Sequence, residues 1–266
     1  MTIQLPARML VAILSLAVLG SAACDLAIGD FQEQHTERWS QSYELEAGGR
    51  LELHNVNGKI DVQSSPGRTV EIVAEKTARA ASVEMAKQAL ERVTIEENAT
   101  PRAIRINTRF DRTDAMFNRS GNVNVRYTVR VPADVELEFA TTNGGIELTG
   151  AGGRTTLTTT NGGIKAREVA GPLEARTTNG GLEIDLAAVA EGGIRLGCTN
   201  GGIDLTLPAD AKASIDASVT NGGIRTGNLR LDTVESSRRR LEATLNGGGP
   251  RIDARCTNGG LNFNGR

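Results

Sequence analysis

Three cysteines, two histidines and one arginine run are the residues of this 266-residue chain best suited to chemistry. Cys24 directly follows Ser21-Ala22-Ala23, the small residues an exporting peptidase needs. Arg8 ends a short positive start, and Met9 to Gly20 is apolar but too short to span a bilayer. His35 and His54 stand apart, and no Cys/His cluster has metal-ligand spacing. Arg238, Arg239 and Arg240 are flanked by Glu235 and Glu242, which favours a solvated loop over a ligand site. No nucleophile elbow, P-loop or dinucleotide fingerprint is present. The chain is therefore read as non-enzymatic, with no catalytic, cofactor-binding or metal-binding residue and no cofactor.

Residues 1–23 read as a signal peptide. The place of Cys24 resembles a lipoprotein lipobox, in which the cysteine is lipidated and becomes the first mature residue. Ser21 stands where that pattern prefers an aliphatic residue, and ordinary cleavage also fits. Lipid on Cys24 would be the membrane contact, with the polar residues 24–42 as a tether. The expected location is the periplasm or cell envelope. The formal net charge of −2 and the lack of a polybasic block give no footprint for nucleic acid.

A five-residue motif recurs at Thr142-Asn143-Gly144-Gly145-Ile146, Thr160-Asn161-Gly162-Gly163-Ile164, Thr178-Asn179-Gly180-Gly181-Leu182, Thr199-Asn200-Gly201-Gly202-Ile203, Thr220-Asn221-Gly222-Gly223-Ile224 and Thr257-Asn258-Gly259-Gly260-Leu261. From Asn143 to Asn221 the spacings are 18, 18, 21 and 21 residues. Asn-Gly is ordinarily a hairpin signal. Here the flanks are alike each time, so one corner passes the same edge once per coil, as in a parallel β-solenoid.

Period-2 rows around the corners supply the core. Thr141, Thr159, Thr177, Cys198, Val219 and Cys256 form one row; Phe139, Leu157, Ala175, Leu196, Ala217 and Ala254 form the next. Ile146, Ile164, Leu182, Ile203, Ile224 and Leu261 follow the corner. In the outward row Glu147–Lys165–Glu183–Asp204–Arg225, only the Glu183–Asp204 step is repulsive. Asn143, Asn161, Asn179, Asn200, Asn221 and Asn258 are structural corners whose amides can bond along the axis. Calcium binding would need carboxylates at the glycine turns, and none sits there.

Coils stacked in sequence order place Cys198 and Cys256 about three coils, roughly 14 Å, apart, beyond the ~7 Å a disulfide tolerates. Two buried free thiols are expected, although export favours a disulfide. Leu241, Ala243 and Leu245 fit a further coil with Gly247 at its corner, and Gly227 to Arg240 reads as a loop. An open last coil would leave an edge suited to end-to-end self-association.

Asn57-Gly58 is a degenerate corner, so the solenoid begins near residue 43 and is then interrupted. Alternation at 69–74, 93–97, 103–108 and 123–131 gives strands, and Ala78 to Arg92 gives a helix with Val83, Ala86 and Leu90 on one face. The fold class is all-β: a single-stranded parallel β-helix, right-handed winding favoured, with an N-terminal α+β cap containing one short helix. The divisions are signal peptide 1–23, tether 24–42, N-terminal strands and cap 43–135, and solenoid 136–266.

The corner rows, the Val131-Pro132 step and the export signal resemble the bacterial "putative adhesin" domain-of-unknown-function family, relatives of the head-GIN autotransporter-adhesin-like proteins. The resemblance covers about residues 40–266. It implies a β-helical envelope protein, linked in some members to envelope stress, with no catalytic residues to carry over. The expected function is a non-catalytic, adhesin-like scaffold whose partner is an envelope protein or glycan. A carbohydrate-active β-helix enzyme is the alternative. Its cleft would need clustered carboxylates and sugar-stacking aromatics, and the repeats hold only Phe139 and Phe263, both expected inward.

Overall fold

Alternating apolar residues on either side of each Asn-Gly step bend the chain into paired strands, seen in a computed structural model that describes residues 33–111 and 122–266. β1 (Glu33–Glu44) comes first. The polar stretch is thus strand from residue 33 onward rather than tether, because residues 33–44 pair antiparallel along a second long strand. β2 (Arg50–His54) and β3 (Ile60–Ser65) form the first coil, bent at Asn55–Gly58. β4 (Thr69–Ala80) returns along β1. α1 (Val83–Glu91) follows, capped by Ser82, whose hydroxyl accepts from the Met85 amide; it buries Ala86, Ala89 and Leu90. β5 (Val93–Ala99) and β6 (Ala103–Phe110) form a hairpin, and β7 (Asn122–Pro132) pairs with both β3 and β4.

The regular coils are β8 (Glu136–Asn143) with β9 (Ile146–Ala151), β10 (Thr155–Asn161) with β11 (Ile164–Val169), β12 (Leu173–Asn179) with β13 (Leu182–Leu186), and β14 (Ile194–Asn200) with β15 (Ile203–Leu207). Each pairs in parallel with the next, Asn opposite Asn. β2 and β3 pair in the same way with β8 and β9, so the interrupted first coil stacks on the second. The fold is the expected parallel β-solenoid, with one short helix among the described residues.

The coil order departs from the sequence order at the C-terminal end. β16 (Ala213–Gly227) and β19 (Arg251–Gly265) each run unbroken through their corner. β19 lies between the β14–β15 coil and β16: its first half pairs with β14 and its second half with β15, while β16 pairs along its other side. β17 (Leu231–Ser236) and β18 (Arg240–Leu245) lie between β16 and β19 in the chain. β18 pairs antiparallel with the first half of β16, so that half is held between β18 and β19.

Three expectations are corrected by this order. The segment with Leu241, Ala243 and Leu245 faces inward, but as an antiparallel strand and not as a coil with Gly247 at its corner. Gly227 to Arg240 contains a strand, β17. The last strand is internal, so it offers no open edge. The crossing from β18 to β19 is made by Asn246, Gly247 and Gly248, all at positive φ (51°, 84° and 85°). Asn246 Nδ2 ties this crossing to the carbonyls of Ala209 and Ala211 at 2.9 and 2.8 Å.

The expected inward rows are buried, apart from Ile224, and Thr226 two residues further on is exposed. These two belong to the second half of β16, the outermost strand of its face, so no further coil covers them. Within the thin aliphatic core Phe139, Phe263 and Tyr127 are fully buried. At the opposite end the first coil is covered by β6, which pairs in parallel with β2, and by β7 on β3, while α1 packs on β4, β1 and β5.

Candidate interaction surface

The corners build one continuous feature. Asn143 Nδ2 donates to Asn57 Oδ1 at 2.7 Å, Asn161 to Asn143 at 2.8 Å, Asn179 to Asn161 at 2.9 Å and Asn200 to Asn179 at 2.9 Å. Asn258 donates to Asn200 and Asn221 to Asn258, both at 2.8 Å. Every amide points the same way, and the ladder is exposed. Threonines 142, 160, 178, 199, 220 and 257 are exposed beside it, giving an uncharged edge along the solenoid.

Behind this edge the corner is sealed by a second set of bonds. Thr159 and Thr177 hydroxyls donate to the carbonyls of Gly144 and Gly162, each at 2.8 Å, and Thr141 to Gly58 at 3.3 Å. The first glycine of each corner passes so close to its predecessor that a Cβ on Gly162 or Gly180 would overlap the carbonyl of Gly144 or Gly162. In the next two layers of this row Cys198 and Cys256 replace threonine.

These cysteines form a disulfide, with Cα atoms 4.6 Å apart. The expectation of free thiols is overturned because Cys198 and Cys256 stand directly opposite each other on adjacent strands. A separation of three coils held only for coils stacked in sequence order.

The two outer faces are polar and partly ion-paired across coils. Lys165 bridges Glu183 at 3.0 Å, with Arg167 on the same carboxylate at 3.0 Å. Glu147 is met by Lys59 at 2.8 Å. Asp204 neighbours Asn262, which donates to it at 2.5 Å, so the expected Asp204–Arg225 pair is replaced because β19 intervenes. Hydrogen bonds from Lys59 and Lys165 hold the Glu147 and Glu183 carboxyls below the usual range, and one from Arg105 does the same for Glu52. Burial pushes the Tyr127 hydroxyl up to about 12, while its 2.7 Å bond with Thr108 acts the other way. Burial raises Tyr43, which donates to Glu97 at 2.6 Å.

The residues singled out for chemistry are not brought together. Cys24 and the signal segment lie outside the described residues. His35 sits on β1, and His54 Nε2 lies 3.6 Å from Glu138. Among the described residues no three His, Cys, Asp or Glu side chains are grouped to hold a metal ion. No described helix is long and apolar enough to cross a membrane. Arg240 pairs with Glu235 and Glu242, whereas Arg238 and Arg239 have no carboxylate partner among the described residues. Asn55 was missed from sequence; its buried amide bonds the carbonyls of Gly58 and Val125 at 3.2 and 2.8 Å and fixes the first corner. Its signal was the Asn-Val-Asn-Gly run, in which only Asn57 fits the repeat.

No curated protein matches the chain. Among solved structures it is similar to a "putative cell adhesion protein" from Clostridium sporogenes, at 9% identity over 86% of this chain and 100% of that one, with a TM-score of 0.40. It is also similar to a "putative adhesin" from Bacteroides fragilis, at 13% identity over 86% and 97% of the two chains, with a TM-score of 0.32. A "putative adhesin" from Parabacteroides merdae is similar at 10% identity over 86% and 96%, with a TM-score of 0.30. The family model described as Toastrack DUF4097 matches residues 51–264, and the chain belongs to that family.

Proposed function

We propose that this protein is a non-catalytic, adhesin-like interaction scaffold of the cell envelope, exported by residues 1–23 and held to a membrane by lipid on Cys24. The observation that carries the reading is the surface: two continuous polar sheet faces meeting at an uncharged Asn–Thr edge, with side chains bonded coil to coil. Such a surface presents a long rigid area to a protein or glycan. The Cys198–Cys256 disulfide supports an oxidising compartment. Crosslinking and pull-down from envelope extract, set beside a screen for glycan cleavage, tests the reading. A recovered envelope protein or glycan without cleavage is expected; turnover of a polysaccharide would overturn it in favour of a carbohydrate-active enzyme. For the anchor, Cys24→Ala is expected to move the protein from the detergent phase to the aqueous phase, and a wild-type protein already in the aqueous phase would refute lipidation.

A further inference from the structure

The two ends of the solenoid are unlike in a complementary way. At the N-terminal end α1 turns Glu84, Met85, Lys87 and Glu91 outward, and neither Glu84 nor Glu91 has a cationic partner among the described residues. At the C-terminal end Arg225, Arg230, Arg238 and Arg239 have no carboxylate partner among the described residues, while the neighbouring Arg240 is neutralised by Glu235 and Glu242.

Two large hydrophobic side chains are exposed on the described surface, one at each end: Met85 at 37% and Val234 on β17 at 76%. Thr233, the chain neighbour of Val234, lines a groove of about 280 Å³ together with Ile224, Thr226, Leu231, Ser237 and Leu241. It exists because one face stops at β16 while the other continues through β18 and β17. A register shift between Thr233 and Glu235, with Asp232 and Glu235 on the same strand, guards β17 against pairing with another strand. The end is therefore suited to be met by side chains rather than by strand addition.

We propose that a second copy of this chain occupies this end: α1 of one molecule seats on the β16–β17 groove of the next, with Glu84 and Glu91 facing the free arginines and Met85 meeting Val234. This goes beyond the scaffold reading and does not depend on the anchor or on any envelope partner. The contact is head to tail, so it repeats along the solenoid axis rather than closing as a two-fold dimer. Charge attraction at exposed ends weakens with salt over a Debye length of about 8 Å at physiological ionic strength.

Sedimentation velocity of the purified protein over a concentration series tests this. The expected result is concentration-dependent species larger than a monomer at low salt, dispersing to monomer at high salt. The variants Arg238→Glu/Arg239→Glu and Glu84→Arg/Glu91→Arg should each be monomeric, with unchanged circular dichroism because the sites are exposed. Mixing them should restore assembly, since each then offers the other an opposite charge. Val234→Asp should weaken wild-type assembly at least tenfold. A wild-type monomer at every concentration and salt, or assembly unaffected by either charge reversal, would overturn the proposal. So would a protein that stays monomeric while an acidic envelope protein crosslinks to β17.

Discussion

Asn258 donates its side-chain amide to Asn200 at 2.8 Å, although 58 residues separate them and Asn221 follows Asn200 far sooner in the chain. That bond marks the insertion of β19 between β14 and β16. Two cysteines lock the same pairing two residues earlier on each strand. The disulfide closes a loop spanning 58 residues. A loop of that size constrains the unfolded chain by about 4 kcal/mol in the chain-entropy model. Cys198→Ser with Cys256→Ser, or reduction of the wild type, should lower stability by up to about that amount. Urea unfolding with and without reductant measures it. Non-reducing peptide mapping that finds both thiols free would refute the pairing and the coil order with it.

The Asn ladder makes a graded prediction. Asn179 both accepts from Asn200 and donates to Asn161, whereas Asn221 makes only a donation to Asn258. Net hydrogen bonds contribute about 0.5–1.5 kcal/mol each, with exposed ones at the low end. Asn179→Ala should therefore cost about 1–2 kcal/mol and Asn221→Ala about half of that. Equal costs in denaturant unfolding would show that the amides act singly and not as a ladder.

Two glycines separate backbone conformation from close approach. Gly48 has φ +66°, and a Cβ there would meet nothing within 4 Å. Gly180 has φ +153°, and a Cβ there would overlap the Gly162 carbonyl. Gly48→Ala should cost about 1–2 kcal/mol, the strain of a left-handed residue. Gly180→Ala must also push adjacent coils apart and should cost more than about 4 kcal/mol. Similar midpoints for the two variants in thermal unfolding would contradict the tight stacking at the corner.

The sequence makes legible which residues face inward, but not which coil lies beside which. Ile194, Ile215 and Ile252 fill the same inward position, and each fits beside either of the others. The Thr-Asn-Gly-Gly corners are chemically equivalent, so their bonding is the same in either stacking order. The choice is made by the β17–β18 hairpin, which occupies one side of β16 and leaves β19 the other. Period-2 alternation reads alike in both chain directions, so Leu241, Ala243 and Leu245 are legible as buried while the antiparallel course of β18 is not. The disulfide was hidden for the same reason, because its geometry depends wholly on coil order. Of the arginines without a carboxylate partner at the C-terminal end, Arg238 and Arg239 are legible in the Arg238–Arg240 run, but only the fold places Arg225 and Arg230 at the same end of the solenoid and pairs Arg240 with Glu235 and Glu242.

Acid should weaken the solenoid through the carboxylates that are hydrogen-bonded across coils. Glu52, Glu147 and Glu183 are each held below the usual Glu value of 4.5, first by bonds from Arg105, Lys59 and Lys165 respectively. A carboxyl that is more acidic in the folded than in the unfolded chain binds fewer protons when folded. Its stabilising contribution is therefore complete above about pH 4.5 and is lost as the pH falls through the folded-state value. These groups are partly exposed, so solvent and salt screen them and each contributes at most about 1 kcal/mol. The urea midpoint should hold steady from neutral pH down to about 5 and then decline toward pH 3. Replacing all three with Gln should lower the midpoint at neutral pH and flatten the decline. High salt should reduce the wild-type slope, because the attractions lie at the surface. A triple variant whose midpoint falls as steeply as the wild type between pH 5 and pH 3 would assign the acid sensitivity to other carboxylates.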